Sequence, residues 1–355
     1  MEPEYIDLNY EPEKSDFLAF AYLESVGKFE KACEQIAAES SVGTWTDLAT
    51  MSEFAAKICA KVFKIKKTTP DEGFVWIAYP KELFDTKNLA QNLSILFGNL
   101  FELKFVKKIE ILDIRFPKWF VKVHGGPKFE IRSIKREFDV GERPLLITTM
   151  KPKLGLNSKE IADIFEKALR GGVDLLKDEE ILVDQEYCKF EERLEKVMEV
   201  IEKVESETGE KKAYLVNITG SYPDMVERID DVCEFGNKAV MLNMLLLEND
   251  LRAIIDYAHK KNLLAFGHFV LQGAYSERIS NYVLQKLARI LGFDLIHLKS
   301  CIGKLREGIL KSMYYKEALT SRHIPETLFL GILEQEIPLK PALPVIWGGT
   351  HPGQI

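Results

Sequence analysis

The sequence predicts an α/β protein in which a (β/α)8 TIM barrel follows a smaller α+β domain of the ferredoxin-like type. From residue 145 onward, short apolar strands alternate with amphipathic helices, which indicates a parallel sheet covered by helices. The preceding part mixes strands and helices in an order that fits one sheet with helices on one face. We therefore assign residues 1–130 to an N-terminal α+β domain, 131–144 to a connector and 145–355 to the barrel.

The N-terminal elements follow from the spacing of apolar residues. The segments "DFLAFAYLES" and "FEKACEQIAAES" indicate strand and helix pieces, and "GFVWIAYP" indicates a strand that Pro80 ends. The segment "NLAQNLSILFGNLF" has apolar residues at helical spacing, whereas "FVKKIEILDIRFP" alternates as a strand does. The next segment, "HGGPKFEIRSIKREFDVGERP", is rich in glycine, proline and charge, which is typical of a connector.

Seven strands are predicted after the connector: "PLLITTMKP", "VDLLKDEE", "KAYLVNIT", "KAVMLNMLLL", "NLLAFGHFV", "FDLIHLKS" and "LPVIWGG". The helix after the first strand begins at a capping box, with Asn157 as N-cap and Glu160 at the third helical position, and ends at Gly171. Several strands end in polar residues, which favours a barrel over a doubly wound sheet, and "TTMKPKLGL" is not a GxGxxG loop. The chain ends at "GGTHPGQI", so we expect the eighth barrel strand to be missing from it.

Composition narrows the class of protein. Of the 355 residues, 46% are hydrophobic and 29% are charged, which is typical of a globular fold, and the net charge of −7 does not favour nucleic-acid binding. The five cysteines form no CxxC pair and are odd in number, which indicates reduced thiols in a cytoplasmic protein. No apolar run is long enough for a membrane span, and the acidic N-terminus does not have the form of a signal peptide.

Ionisable side chains gather at the carboxyl ends of the predicted strands, where barrel enzymes carry their chemistry. Carboxylates there suit a hard divalent cation, and strand alternation puts Lys177 and Glu179 on the same face. A protonated lysine is a poor ligand, so Lys177 has to lose its proton or become a carbamate to join the acids. By composition alone, such a lysine is more often part of a surface ion pair. The strand-end residues are Lys151, Lys153, Lys177, Asp178, Glu179, Glu180, Asn217, His268, His297, Lys299, Gly348 and Gly349.

Several of these segments resemble one family. "MKPKLGL" followed by "GGVDLLKDEE" resembles the large subunit of ribulose-bisphosphate carboxylase (RuBisCO), including the RuBisCO-like proteins and divergent archaeal RuBisCO. Five further segments resemble the same family in the same order: "AAESSVGTWT" (37–46), "FGNLF" (97–101), "GHF", "CIGKL" (301–305) and "LPVIWGGTHPG". The resemblance spans residues 37 to 353, so it favours a functional site over a surface ion pair at Lys177.

The resemblance implies a Mg²⁺ site and a set of catalytic residues. Lys177 resembles the lysine that CO₂ converts to a carbamate, and Glu179 and Glu180 resemble the two metal-binding acids, although the carboxylases have aspartate where Glu179 stands. Lys151 resembles the general base for enolisation, with Lys153 beside it. The remaining roles implied are substrate contact by His268 and Asn99, capping of the substrate by Lys304, and pairing with Lys304 by Glu39 of the other subunit. The family therefore implies a homodimer with shared active sites, with further assembly left open.

Departures from the family pattern fall on the phosphate sites. One phosphate site, which is largely retained, resembles Thr44, Trp45, Lys304 and Gly349, and Gly348 belongs with Gly349 to the glycine pair of the seventh strand.

At the second phosphate site His297 remains, but Phe269 stands where the family has arginine and Trp347 where it has serine. Phenylalanine offers no charged fork for phosphate, so we expect the second site to accept an apolar group.

The expected function is then that of a RuBisCO-like enolase or isomerase. It would abstract a proton alpha to a metal-bound carbonyl of a monophosphorylated substrate with an apolar tail, as in methionine salvage. The alternatives are a ribulose-1,5-bisphosphate carboxylase, which Phe269 and Trp347 do not favour, and an inactive remnant with a binding or structural role.

Overall fold

The structure is a computed structural model that describes residues 2–44, 46, 48–246, 249–301, 308–327 and 332–347. It forms two compact units. The N-terminal unit comprises residues 1–125, 271–287 and 321–339, and the barrel unit comprises residues 126–270, 288–320 and 340–355. No helix among the described residues is both long and apolar enough to cross a membrane. The predicted division at residues 131–144 stays a prediction.

The N-terminal unit is built on a four-stranded antiparallel sheet with the order β2-β3-β1-β4. This β-α-β-β-α-β sequence of elements is the ferredoxin-like arrangement, as the sequence predicts. Its elements are β1 (Phe17–Ser25), α1 (Phe29–Glu39), α2 (Glu53–Lys57), β2 (Lys61–Lys67), β3 (Glu72–Tyr79), α3 (Leu89–Phe97), β4 (Val106–Arg115) and α4 (Lys118–His124). The segment predicted as a connector contains a helix, α5 (Ile131–Glu137), which starts in a capping box of Glu130 and Ser133.

The barrel unit holds a curled parallel sheet of seven strands, which confirms the seven predicted strands. Neighbours in the sheet follow chain order, as they do when successive βα units build a barrel. The strands are β5 (Ile147–Thr149), β6 (Leu175–Lys177), β7 (Ala213–Asn217), β8 (Ala239–Met244), β9 (Leu264–Phe269), β10 (Leu295–Lys299) and β13 (Leu343–Trp347).

Helices connect these strands and cover the sheet. The predicted capping box of Asn157 and Glu160 is present at the start of α6 (Ser158–Arg170). The other helices are α7 (Phe190–Thr208), α8 (Tyr222–Glu234), α9 (Leu251–Lys260), α10 (Gln272–Tyr275), α11 (Asn281–Leu291) and α12 (Ile309–Thr320). Two short strands, β11 (His323–Ile324) and β12 (Gln335–Glu336), pair with each other in an antiparallel arrangement.

One apolar layer fills the barrel interior below the site. It takes one or two residues from each strand and is closed by side chains from α5 and the turn after it, which are Ile134, Phe138 and Val140. The strand members include Leu175, Leu215, Met241, Phe266 and Leu295. Because side chains two apart on a strand share a face, the next interior layer is fixed by sequence.

Candidate active site

The layer above the apolar core is polar. Two residues beyond each of Leu175, Leu215, Met241, Phe266 and Leu295, the sequence places Lys177, Asn217, Asn243, His268 and His297. All five are buried and lie at or near the carboxyl ends of their strands. The barrel therefore gathers one polar side chain from each of five neighbouring strands into a single layer.

Lys177 is the member of this layer with unusual chemistry. Its side chain is buried, and its Nζ donates a hydrogen bond to the carbonyl oxygen of Asp178 at 2.6 Å. Burial lowers the pKa of Lys177 to about 8; the negative charge of Glu180 opposes this shift, and the positive charges of Lys151 and Lys153 add to it. A neutral amine is therefore accessible near neutral pH, and a neutral amine is the form that reacts with CO₂.

The two acids after Lys177 are neutralised by lysines. Nζ of Lys151 forms a short ion pair with Glu179, and Nζ of Lys153 lies 3.5 Å from Glu179 and 3.3 Å from Glu180. These two ammonium groups supply the positive charge that a bound cation would otherwise supply to the carboxylates.

Desolvation raises the pKa of Glu180, but the hydrogen bond from its own backbone N–H and the nearby positive charge outweigh it, so the net pKa is lowered.

The donor set fits Mg²⁺ only when Lys177 is included. Among the described residues, no group of three or more His, Cys, Asp and Glu side chains is arranged to hold a metal ion. Glu179 and Glu180 supply two carboxylates, and a carbamate on Lys177 would supply the third oxygen ligand, which suits a hard cation. The chemistry of the set therefore agrees with a carbamylated Mg²⁺ site.

The two histidines form a neutral pair. Burial lowers the pKa of His268 to about 3, and it lowers the pKa of His297 well below its usual value. Their rings lie 4.2 Å apart between centroids, and Phe266 packs edge-on against His297 at 4.7 Å. Because the His268 imidazole is neutral, its 3.7 Å approach to Glu180 is not an ion pair. Both rings are suited to hydrogen bonding with a substrate rather than to carrying charge.

A buried network that the sequence did not reveal supports the segment bearing the acids. Asp178 faces away from the site and accepts hydrogen bonds from Arg193 at 3.3 Å, from the Asn217 N–H at 3.0 Å and from the Tyr214 hydroxyl. Arg193 also donates to the carbonyl of Val183 at 2.7 Å. Strand alternation alone shows that Asp178 points away from Lys177 and needs a partner, but not that helix α7 provides it.

The other predicted site residues fall outside this cluster. Glu39 and Thr44 lie in the N-terminal unit, where the Thr44 hydroxyl donates to Glu39 at 3.1 Å, and Asn99 is exposed at the start of a short 3₁₀ helix (Asn99–Glu102). Trp347 is the last residue of β13. Trp45, Lys304, Gly348 and Gly349 lie outside the described residues.

Family models match both parts of the chain. The ribulose bisphosphate carboxylase large chain N-terminal domain matches residues 4–120, and the catalytic domain of that large chain matches residues 130–355. A protein named ribulose bisphosphate carboxylase from Methanocaldococcus jannaschii is 36% identical, with 98% of this chain and 84% of the relative covered. One of the same name from Archaeoglobus fulgidus is also 36% identical, with 99% and 82% covered.

Solved structures agree with these relatives. The dimeric archaeal Rubisco from Hyperthermus butylicus has a TM-score of 0.90 at 32% identity, with 98% of this chain and 83% of that chain covered. The octameric ribulose-1,5-bisphosphate carboxylase/oxygenase from Pyrococcus horikoshii has a TM-score of 0.88 at 34% identity, with 98% and 80% covered. These neighbours are described as dimeric and octameric, which supports the expectation of a dimer or a larger assembly.

One expectation is overturned by the comparisons. The relatives are named as carboxylases. The expectation of an enolase or isomerase of the methionine-salvage type, in which carboxylation is not favoured, is therefore wrong. That expectation rested on Phe269 and Trp347. Phe269 is only 3% exposed, and strand alternation directs it to the face opposite His268, so its ring packs into the fold and does not define an apolar substrate pocket. The chain belongs to the ribulose bisphosphate carboxylase (RuBisCO) large-chain family.

Proposed function

We propose that this protein carboxylates ribulose 1,5-bisphosphate. Relatives named ribulose bisphosphate carboxylase match nearly the whole chain. The observation that carries the proposal is Lys177, a buried lysine with a pKa of about 8 that directly precedes the segment bearing Glu179 and Glu180. Members of the RuBisCO family use Mg²⁺ and a carbamylated lysine, and Lys177 has the properties that carbamate formation needs.

Activation starts at Lys177. The ammonium group of Lys177 first loses a proton to solvent. The neutral amine then attacks CO₂, a C–N bond forms as one C–O π pair moves onto oxygen, and a second proton leaves the nitrogen, so that a cationic side chain becomes an anionic carbamate. The carbamate, Glu179 and Glu180 would hold Mg²⁺. When bound, Mg²⁺ acts as a Lewis acid that polarises the substrate carbonyl. The ammonium group of Lys153 offsets part of the negative charge of the three anionic groups, and that of Lys151 does so until Lys151 loses its proton.

Lys151 is the proposed general base. Its side chain is 62% exposed, so it has room to leave Glu179 and reach a substrate above the barrel mouth. As a free amine it would take the proton alpha to the carbonyl, and the resulting enediolate would then attack CO₂. His268 is neutral and would hydrogen-bond the hydroxyl groups of the substrate.

Two sets of residues would bind the two phosphates of the substrate. One phosphate is proposed to be bound by Thr44, Trp45, Lys304 and Gly349, and the other by His297. Asn99 and Glu39, which belong to the N-terminal unit, are proposed to complete the site across a homodimer interface with shared active sites. Phenylalanine at position 269 and tryptophan at position 347 offer phosphate no charged donor, so we expect His297 to make the main contact with the second phosphate.

A fixation assay tests the proposal. The chain is preincubated with bicarbonate and Mg²⁺, and ¹⁴C from CO₂ is followed into an acid-stable product in the presence of ribulose 1,5-bisphosphate. We expect incorporation that depends on both Mg²⁺ and preincubation. Exchange of the substrate's alpha proton in deuterated water reports enolisation separately. Proton exchange without fixation at any substrate concentration would contradict the proposed carboxylation.

A further inference from the structure

The carboxylate-bearing segment leaves the sheet at a point where its backbone needs new partners. The N–H of Asp178 still bonds to the Leu215 carbonyl of β7 at 3.2 Å, but the strand itself ends at Lys177. Beyond that point, side chains of neighbouring strands take over the bonding of the backbone carbonyls. These side chains belong to Asn217 and Asn243, which are both buried.

The side-chain amide of Asn217 lies within hydrogen-bond distance of three backbone carbonyls of this segment. Its Nδ2 lies 3.4 Å from the carbonyl oxygen of Glu179, 3.1 Å from that of Glu180 and 3.0 Å from that of Leu182. Its Oδ1 accepts from the hydroxyl of Thr219 at 2.7 Å and from the N–H of Thr219 at 3.2 Å. Since a backbone N–H can only donate, this contact fixes which side of the amide is oxygen and directs the NH₂ group toward the carbonyls.

Asn243 adds a second, simpler contact. Its Nδ2 donates to the Glu180 carbonyl at 2.7 Å, and its Oδ1 has no hydrogen-bond partner among the described residues. The N–H of Asn243 donates to the Thr219 hydroxyl at 3.0 Å, which joins the two asparagines into one unit. Two buried amides from β7 and β8 thus converge on the backbone of Glu180.

We propose that Asn217 and Asn243 are positioning residues that fix the carboxylates of Glu179 and Glu180 in the geometry required for Mg²⁺. The inference rests on the proposed metal site and deepens it. A glutamate side chain has several rotatable bonds, so its carboxylate is placed accurately only if the backbone below it is held. Groups that orient metal ligands typically change metal affinity or activity by about 10–100-fold when removed.

The fold supplies a matched control at the opposite end of the same strands. Asn237 is also buried, and its Nδ2 donates to the carbonyls of Tyr214 at 2.7 Å and Ala239 at 2.9 Å, while its Oδ1 accepts from the Tyr214 N–H at 3.1 Å. Tyr214 and Ala239 lie at the amino ends of β7 and β8, away from the acids. Asn237 therefore makes the same kind of contact for a purely structural purpose.

The test compares Asn243→Ala, Asn243→Leu and Asn237→Ala. Mg²⁺ affinity is measured by calorimetry in the presence of bicarbonate, and thermal stability and the KM for ribulose 1,5-bisphosphate are measured alongside it. We expect both Asn243 variants to bind Mg²⁺ about tenfold more weakly. We expect Asn237→Ala to keep the wild-type Mg²⁺ affinity although it loses more hydrogen bonds and more thermal stability. Asn243→Leu fills the space of the asparagine, so it separates the lost donor from a cavity.

Each outcome decides the inference. Equal Mg²⁺ affinities for wild type and the Asn243 variants, or an equal loss in Asn237→Ala, would overturn it. If the wild type binds Mg²⁺ no better than Lys177→Met does, the site itself is absent and the positioning role falls with it. If the wild type binds Mg²⁺ but fixes no CO₂, the proposed carboxylation fails while the affinity comparison still decides the role of Asn243.

Discussion

Two buried lysines, one in each unit, have different surroundings. The difference explains why one has a structural role and the other a chemical one. Lys286, on α11 in the N-terminal unit, is fully buried and forms a short ion pair with the fully buried Asp113 of β4. Lys177 in the barrel unit is almost as buried, but among the described residues its ammonium meets a backbone carbonyl and no carboxylate within ion-pair distance.

Both members of the Asp113–Lys286 pair make further hydrogen bonds to the backbone. Lys286 also donates to the Ile114 carbonyl at 2.6 Å, and Asp113 accepts from the N–H groups of Ile114 at 2.7 Å and Leu333 at 2.8 Å. Desolvation raises the pKa of Asp113 and lowers that of Lys286, and the attraction between the two charges opposes both shifts. The comparison teaches that burial alone does not make a lysine reactive; burial without a carboxylate partner does.

The same substitution at the two lysines should have opposite effects. In Lys177→Met the amine that forms the carbamate is lost, and we expect CO₂ fixation to fall about a thousandfold, as when a group that stabilises transition-state charge is removed. Thermal stability should stay equal or rise, because a buried amine without a carboxylate partner is removed. Fixation rate and thermal unfolding measured on one sample check both expectations. A Lys177→Met variant that still fixes CO₂ at the wild-type rate would remove Lys177 from the mechanism.

Lys286→Met should instead cost stability. It leaves Asp113 buried without its counter-charge, which typically destabilises a protein by about 3–5 kcal/mol. Urea unfolding of this variant should show the loss, and the fixation rate per folded molecule should be unchanged. Asp113→Leu combined with Lys286→Met should recover most of the stability because no unpaired charge remains. If Lys286→Met is as stable as Lys177→Met, the distinction between the two lysines is lost.

Phe269→Arg tests the direction of the Phe269 ring, which is buried and which strand alternation directs to the face opposite His268. An arginine would place a charge at a buried position, so we expect a loss of thermal stability. The KM of the folded variant for ribulose 1,5-bisphosphate should be unchanged, because the new charge does not reach the second phosphate. Thermal unfolding and the KM measure both effects, with Phe269→Leu as the apolar control. A KM that falls about tenfold, the scale of a hydrogen bond to a charged group, would show that position 269 faces the second phosphate.

The smallest expected effect is on pH dependence. Because the pKa of Lys177 is lowered to about 8, its neutral fraction grows as pH rises through that value. Activation of the metal-free chain by CO₂ should therefore increase with pH with a midpoint near 8. The unfolded lysine keeps its ordinary pKa of 10.5, so between the two values the unfolded state binds more protons and folding stability rises with pH.

Activation and urea unfolding over this pH range measure both effects. Lys177→Met should lack the stability change, and Lys286→Met should keep the activation midpoint. An activation midpoint near the ordinary lysine value would place the reacting amine elsewhere.

Much of the fold could be read from the sequence because its signals are local. The seven strands and the capping box at Asn157 depend on residues that are neighbours along the chain, and both were predicted correctly. The acids after Lys177 were found because strand alternation and a family motif fall on the same short segment. The residue type at position 269 predicts an apolar wall of the substrate pocket. This prediction is wrong because the residue type does not show the direction in which the Phe269 ring points.

By itself, the sequence determined the alternation of strands and helices and the polar residues near the ends of several barrel strands, since these follow from spacing along the chain. Only the tertiary structure decided which side chains meet. Arg193 reaches Asp178 from a helix, Asn243 reaches Glu180 from β8, and Lys286 reaches Asp113 across 173 positions of sequence. Such contacts depend on how distant segments of the chain pack, so no local sequence pattern predicts them. Packing of the barrel interior likewise buries Lys177, and this burial lowers its pKa and so sets the chemistry of the site.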